Sequence, residues 1–404
     1  MDLKEKILEQ RSEYLLPGLK HFYEDPPLFK AAYMQYMYDE KEKRYTDFSG
    51  GHAVVNCGHS NSFVLERVIE QLRNFQHTTN NYLTEPITKL AERLAEITPS
   101  CINRSFFCSS WGEANEGALM VARNHSGRRK IIALEGSLHG RTYLAMSATH
   151  IPSWRTDPFL SQDISFIPNA ENPEASLEML RKLLAKEGGQ YSAMIAEVIQ
   201  GAGGVVTPPK WYFSQMQAEL HAHNVLLIAD ERETGFARTG RMFAFEHYGI
   251  VPDILVYANS LGNGMPIAGF SAIDDISKNF TKPYISTLGG NPTSCAAALA
   301  VLDYLEYNSL CDGAERKGDL LKSELVKLQD KHDSIEDVRG IGLMVGAKLD
   351  KNSTQFTHER MKDLGFIIGI GGPEKNVLVF QPPLVLEEND IYEMIEALDK
   401  TLSK

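Results

Sequence analysis

The chain has 404 residues, of which 43% are hydrophobic and 23% charged, a balance typical of an ordinary globular protein. This length predicts one large core with a smaller second domain, and not a disordered or fibrous chain. The formal net charge of −12 argues against nucleic acid or an anionic membrane as a general partner.

Neither a targeting segment nor a metal-binding pattern is recognisable in the sequence. The segment Met1–Lys6 has no apolar core of a signal peptide, and no later apolar run approaches the roughly 20 residues of a membrane span. We therefore expect a soluble cytoplasmic protein with no membrane partner. The cysteines show neither a CxxC pair nor ligand spacing with histidine, so we expect buried thiols and no metal site. They are Cys57, Cys101, Cys108, Cys295 and Cys311.

In chain order, residues 1–45 are predicted to hold a helix and an extended arm that associates with the smaller domain. From about residue 105 to 300, strand-like and helix-like segments alternate, which predicts an α/β fold with a mostly parallel sheet covered by helices. The candidate strands are Ser105–Cys108, Lys130–Glu135, Met194–Ile199, Val225–Asp230, Ile254–Tyr257 and Gly269–Ile273. The candidate helices begin near Glu113, Pro173, Trp211 and Pro292.

After about residue 310, the order helix, strand, helix, strand, helix predicts a small α+β domain. Gly340–Leu349 alternates small and apolar residues before a charged turn, so we predict that it forms the central strand of this domain. The predicted division is therefore a helix and arm over residues 1–45, a large α/β domain over 46–309, and a small C-terminal domain over 310–404.

Five groups of short motifs follow one another along the chain, and their order carries more weight than any one of them. They are Asp47-Phe48-Ser49-Gly50-Gly51 with Gly58-His59; Glu113-Ala114-Asn115-Glu116; His139-Gly140-Arg141; Ala229-Asp230-Glu231 with Thr234-Gly235-Phe236 and Arg238-Thr239-Gly240; and Gly289-Gly290-Asn291-Pro292. On these motifs the chain, from Tyr45 to near its C-terminus, resembles the class III aminotransferases. This group contains the ornithine, acetylornithine, 4-aminobutyrate and alanine-glyoxylate transaminases. The resemblance implies a fold type I architecture that binds pyridoxal phosphate (PLP), and a dimer with both sites at the subunit interface.

Asn259 stands where this resemblance implies the catalytic lysine. The surrounding Pro252–Ile267 is similar to the lysine loop of the family. The family lysine forms the Schiff base with the cofactor aldehyde and then moves the proton at the substrate alpha carbon. An asparagine amide can do neither, which raises the question of whether one residue or the whole site has changed.

Asp230 ends a predicted buried strand, where the resemblance implies a partner for the protonated pyridine nitrogen. Arg232, two residues on, projects to the same face if the strand continues, where the family has a small apolar residue against the ring. An unpaired buried charge would cost several kcal/mol, so we hypothesise that the Arg232 guanidinium pairs with Asp230. In the alternative, Arg232 swings to solvent.

The phosphate cradle is also altered. Ser110 and Gly112 occupy positions that the resemblance assigns to the cradle at a helix N-terminus. Trp111 lies between them where the family has glycine, and tryptophan cannot give the close backbone approach that glycine allows. Its ring is large enough to fill part of an empty cofactor cavity, although it could equally be an ordinary core residue.

Three further positions depart from the family. Leu138 replaces an aromatic residue that stacks on the cofactor ring, and Glu233 replaces a glutamine that binds the phenolic oxygen. Val379 falls where many members carry the arginine that clamps the substrate carboxylate. Arg141 and Glu197 match family positions, and both could now be structural ion-pair partners.

Thr287 is retained, and in the family this threonine reaches across the interface to the phosphate of the neighbouring subunit. Asn80–Pro86 also resembles family sequence near the interface. Thr287 could instead persist because its turn caps the following helix. Residues for the chain's own site have therefore departed, while one for a partner's site remains.

Three functions compete on these residues. In the first, PLP binding is absent or weak, and the chain is a non-catalytic subunit that completes the site of an active, lysine-bearing paralogue; a homodimer is the other possible assembly. In the second, it is an enzyme: a transaminase moving an amino group from an amino acid or amine to a 2-oxo acid or aldehyde with PLP or noncovalent pyridoxamine phosphate, or a repurposed pocket. In the third, Asn259 is an engineered replacement in an active transaminase.

Overall fold

The computed structural model describes residues 2–403, apart from the side chain of Asn352. The helices are Leu3–Tyr14 (α1), Gly50–Ala53 (α2), Ser62–Asn74 (α3), Glu85–Ile97 (α4), Trp111–Ser126 (α5), Tyr143–Ser147 (α6), Pro173–Glu187 (α7), Tyr212–Ala222 (α8), Asp274–Ser277 (α9), Pro292–Tyr307 (α10), Leu310–Lys331 (α11), Lys351–Asp363 (α12) and Glu388–Leu402 (α13). The strands are Phe29–Tyr33 (β1), Tyr36–Asp39 (β2), Arg44–Asp47 (β3), Ile102–Cys108 (β4), Lys130–Leu134 (β5), Ile164–Ile167 (β6), Tyr191–Glu197 (β7), Leu226–Asp230 (β8), Ile254–Tyr257 (β9), Ala268–Ile273 (β10), Ile335–Ile341 (β11), Met344–Leu349 (β12), Phe366–Ile367 (β13), Gly369–Gly371 (β14) and Val377–Phe380 (β15).

A seven-stranded sheet forms the centre of the fold, in the order β4-β10-β9-β8-β7-β5-β6. Strand β10 runs antiparallel to both of its neighbours, and the other pairs are parallel. The prediction of a mostly parallel sheet is confirmed, with all six candidate strands and all four helix starts. The strand of this sheet that sequence reasoning missed is β6, a partly exposed edge strand of only four residues.

The inner strands of the sheet are mostly apolar because helices cover both of its faces. Every residue of β7 and of β9 is buried, which makes their sequences continuous apolar runs. Helix α5 begins at Trp111 because the Ser110 hydroxyl accepts a hydrogen bond from the Glu113 backbone N–H. It ends at Gly127, whose φ of 67° provides the left-handed cap. The N-terminus of α5 thereby comes to the carboxyl end of β8.

The two ends of the chain share a second sheet. Strands β1, β2 and β3 pair in order, and β13 adds to β3 in parallel, at Phe366 with Thr46 and Ile367 with Asp47. The predicted extended arm is therefore a meander of three strands. The predicted boundaries at residues 45 and 309 stay a prediction.

The prediction of one central strand over Gly340–Leu349 is wrong. Strand β11 ends at Ile341 and β12 begins at Met344, and the two pair antiparallel across a tight turn. Gly342 has a φ of 56°, and a Cβ there would lie 2.5 Å from the carbonyl carbon of Thr239. The turn therefore requires glycine, and its apolar flanks read as one strand in the sequence.

The expectation of buried thiols holds for three of the five cysteines. Cys57, Cys108 and Cys295 are buried as expected, and Cys311 is partly buried, but Cys101 is exposed. Within residues 2–403, no cluster of three or more histidine, cysteine or carboxylate side chains could hold a metal. Over the same range, no helix is long and apolar enough to cross a membrane.

The buried side chain of Arg238 connects three segments that are distant in the sequence. Its side chain is fully buried and donates hydrogen bonds to the carbonyl oxygens of Leu343, at 2.9 Å, and Pro382. It also donates to the side-chain oxygen of Asn56. One guanidinium thus satisfies acceptors from both ends of the chain.

We expect Arg238→Leu to lower the free energy of unfolding by about 3–5 kcal/mol, because the three acceptors lose their donor in a buried place. Chemical denaturation measures this loss. Arg104→Leu is the control, since Arg104 forms an exposed ion pair with Asp274 and should cost at most about 1 kcal/mol. Equal losses in the two variants would contradict this role for Arg238.

Candidate functional site

The candidate site lies at the carboxyl ends of β7 and β8, facing the N-terminus of α5, and the buried carboxylate of Asp230 is its centre. The indole Nε1 of Trp111 donates to both Asp230 oxygens, at 3.0 and 2.9 Å. Asn115 Nδ2 donates at 2.7 Å, and His139 Nδ1 lies 2.9 Å from the same oxygen. The backbone N–H of Arg232 donates at 3.2 Å. These donors satisfy a carboxylate that is 2% exposed.

Arg232 does not pair with Asp230 through its guanidinium, so the predicted ion pair is wrong. The guanidinium forms an ion pair with Glu233, and its carbon lies 4.0 Å from the centre of a ring of Trp111. The alternative, an exposed Arg232, is also wrong, because the residue is only 8% exposed. Trp111, Asn115, His139 and a backbone N–H already occupy the Asp230 oxygens, so the guanidinium turns to the adjacent carboxylate and the aromatic face.

Glu233 joins this cluster to the C-terminal part of the chain. Its second carboxylate oxygen accepts a hydrogen bond from Gln381 Nε2 at 3.2 Å, and the Gln381 backbone N–H donates to Phe48 O at 2.7 Å. A Cβ on Gly201 would lie 1.5 Å from the same Glu233 oxygen, so a larger residue there would force the carboxylate to move. Sequence reasoning missed Gln381, which follows β15 and carries no motif of its own.

Glu197 is a second buried carboxyl group beside the cluster. It ends β7, and its Oε1 accepts a hydrogen bond from the backbone N–H of Leu138 at 2.8 Å. Burial, reinforced by the nearby Glu233 carboxylate, raises the pKa of Glu197 well above its usual value. Leu138 is itself buried, and its side chain adds to the apolar surroundings. Arg141, the other matched residue, is exposed.

The phosphate-cradle positions are engaged within the chain itself. The Ser110 hydroxyl donates to Glu113 Oε2 at 2.9 Å, and the backbone N–H of Ser109 donates to the same oxygen at 3.2 Å. A carboxylate therefore already lies at the positive end of α5. Gly112 is buried, and a Cβ there would lie 3.3 Å from Thr142 Cγ2.

Asn259 begins a short 3-10 helix, Asn259–Gly262, with a φ of 47°. Asparagine tolerates this left-handed conformation better than most residues. Its Nδ2 donates to the carbonyl oxygen of His52 at 3.1 Å. The amide thus links the 3-10 helix after β9 to α2.

Val379 and Thr287 lie in contrasting surroundings. Val379 is buried on β15 in a small apolar cluster that includes Ile199, Val205 and Met344, so its position holds no cation for a substrate carboxylate. Thr287 is exposed in the loop before α10. The structure therefore brings Trp111, Asp230, Arg232 and Glu233 together and leaves Thr287 on the surface.

The comparison with family models decides the classification. The model described as aminotransferase class III matches residues 26–402.

The chain belongs to the class III aminotransferase family.

Two curated members of this family and one solved structure illustrate the likeness. The mitochondrial alanine-glyoxylate aminotransferase 2 homolog 2 of Arabidopsis thaliana is 36% identical over 424 residues, which cover 98% of this chain and 87% of that protein. An acetylornithine aminotransferase of Methanocaldococcus jannaschii is 36% identical over 376 residues, covering 91% of each. The ornithine aminotransferase of Toxoplasma gondii, a structure with partial occupancy of PLP at its active site, has a TM-score of 0.91 at 26% identity, covering 99% of this chain and 94% of that one. The fold is that of PLP-dependent transaminases, and PLP is the cofactor expected of a class III aminotransferase.

The raised pKa of Glu197 has a measurable consequence. Because its pKa is raised in the folded protein, the folded state holds a proton that the unfolded state has released above about pH 4.5. Glu197→Gln keeps the shape and removes the titration. We expect the variant to gain stability over the wild-type protein as pH rises above about 4.5, by up to about 1.4 kcal/mol per pH unit until the folded-state pKa is passed.

Urea midpoints of both proteins across this pH range measure the difference. Glu178→Gln is the control, because this exposed carboxylate has a lowered pKa and is ionised in both states above pH 4.5. A stability difference for Glu197→Gln that stays constant with pH would contradict a raised pKa for Glu197.

Proposed function

We propose that this class III family member is a non-catalytic subunit that pairs with an active, lysine-bearing paralogue and completes that paralogue's interfacial PLP site. The observation that carries the proposal is the hydrogen bonding of the Trp111 indole N–H to both oxygens of Asp230, under the guanidinium of Arg232. In the family, a pyridinium N–H is expected to meet this carboxylate. The chain's own side chain supplies that N–H, so these residues do not fit a bound cofactor.

Two further features of the site support the proposal. Asn259 donates its amide to His52 O, and an amide nitrogen is not nucleophilic enough to form a Schiff base. At the phosphate-cradle position, Trp111 stands where the family has glycine, and tryptophan prevents the close backbone approach that a phosphate group needs there.

The surface around Thr287 supports a protein partner. Its neighbours Ile285 and Leu288 are 55% and 57% exposed, and Leu83 is fully exposed. The Thr293 side chain donates to the carbonyl oxygen of Gln76 at 2.9 Å, so the start of α10 contacts the segment that follows α3. Exposed apolar residues beside a polar side chain, as at Ile285, Thr287 and Leu288, are typical of a protein interface. A homologous subunit is the partner that would present a phosphate group to the Thr287 hydroxyl.

The first experiment treats the purified chain with PLP and borohydride and assays transaminase turnover. We expect no reducible adduct and no turnover. Asn259→Lys alone should not restore turnover, because Trp111 and Arg232 still fill the place beside Asp230; the triple variant Asn259→Lys, Trp111→Gly, Arg232→Val should bind PLP covalently.

The other functions predict different results. Turnover without a reducible adduct would identify a transaminase that uses pyridoxamine phosphate noncovalently. Full activity of Asn259→Lys would mean that the lysine alone is missing. Turnover on a substrate without an amino group would identify a repurposed pocket.

The second experiment co-expresses the chain with a lysine-bearing class III aminotransferase from the same organism. We expect a heterodimer whose activity falls about tenfold or more on Thr287→Ala, since a hydrogen bond to a phosphate group is lost from the partner's site. Thr281→Ala, in the same exposed loop, is the control and should have no effect. Stable homodimers that ignore the paralogue, or equal effects of the two substitutions, would refute the proposal.

A further inference from the structure

The cluster of Trp111, Asp230, Arg232 and Glu233 does more than fill space. We propose that Trp111 is a positioning residue that, with Arg232, holds the site together in the way a bound cofactor would, so that the chain reaches its native conformation with no ligand. The inference concerns the isolated chain, so it can fail or succeed independently of the pairing with a paralogue.

The first part of the inference rests on Asp230. A buried carboxylate is stable only when hydrogen-bond donors replace the lost water. Trp111 is the donor that contacts both of its oxygens, at 3.0 and 2.9 Å, and Asn115 and His139 complete the set. A planar aromatic group with one ring N–H directed at the carboxylate is the chemistry that this position accepts.

The second part rests on Arg232. Its guanidinium lies over the indole, with 4.0 Å between the guanidinium carbon and a ring centre, and it pairs with Glu233. Glu233 in turn accepts from Gln381. Through these contacts the indole connects α5 and β8 to the segment after β15. Loss of the indole therefore loosens elements that are far apart in sequence.

The requirement for an aromatic ring with an N–H beside Asp230 can be tested. Trp111→Ala should leave a cavity with a carboxylate that has lost one of its donors on one wall and a guanidinium on another. Such a cavity binds a small molecule of the removed shape, and binding raises the unfolding temperature Tm. We expect Trp111→Ala to lower Tm by about 5 °C or more, and millimolar indole to recover part of this loss. 1-Methylindole, which has the ring but lacks the N–H, should recover much less.

Two variants control the measurement. Trp211→Ala removes another half-buried tryptophan, one that does not contact Asp230, and indole should leave its Tm unchanged. Trp111→Phe keeps a ring beneath Arg232 but has no N–H, so it should lose less stability than Trp111→Ala and show no response to indole. PLP should not raise the Tm of the wild-type protein.

Four results would overturn the inference. They are a Trp111→Phe protein as stable as the wild type, equal recovery by indole and 1-methylindole, recovery of Trp211→Ala by indole, and a rise in wild-type Tm with PLP. If Trp111→Ala does not fold at all, the comparison of Trp111→Phe with the wild type still decides whether the N–H is required.

Discussion

The need to supply hydrogen-bond donors to the buried carboxylate of Asp230 determines the arrangement of the side chains around it. A carboxylate with almost no exposure to water must be met by donors, and here the donors come from α5, from the loop after β5 and from the backbone after β8. The indole is one of these donors and is attached to the chain. A free ligand that sought the same oxygens would therefore compete with a group held permanently in place, whose effective concentration no dissolved molecule matches.

The neighbouring charges follow from the same constraint. Because N–H groups, and not the guanidinium, satisfy Asp230, the charge of Arg232 is left for one other carboxylate, and Glu233 takes it. Glu197 has one backbone N–H as a donor, and burial together with the nearby Glu233 carboxylate raises its pKa. The same cluster thus pairs one carboxylate with the cation and makes ionisation unfavourable for another.

The fold could be predicted from the sequence far better than the site. Strands such as β7 and β9 are buried on both faces, and their apolar runs are visible without any knowledge of their neighbours. The hairpin of β11 and β12 was misread because its flanks are apolar and its turn is made of small residues. Asp230 and Trp111, which contact each other, were both assigned to one site from motifs alone.

The partners of those residues could not be predicted. Position relative to the strand suggested that Arg232 faces Asp230, but the direction of a long side chain depends on what else reaches the same oxygens. The competitor was Trp111, which lies 119 residues earlier in the chain. Gln381, which meets Glu233 from 148 residues away, carried no local signal either. Sequence periodicity predicts which face of a helix or strand is buried. The contacts of Arg232 and Glu233 depend instead on how separate elements pack against each other.

The sheet shared by the two ends of the chain bears on how the protein is made. Strand β3 receives its parallel neighbour β13 only when Phe366 and Ile367 are available, and the Tyr23 hydroxyl bonds the carbonyl oxygen of Ile368, 345 residues away. On the ribosome, one edge of β3 therefore stays unpaired until Phe366 and Ile367 have been synthesised. Until then this edge can pair with a strand of another chain, which is the kind of encounter that chaperones limit.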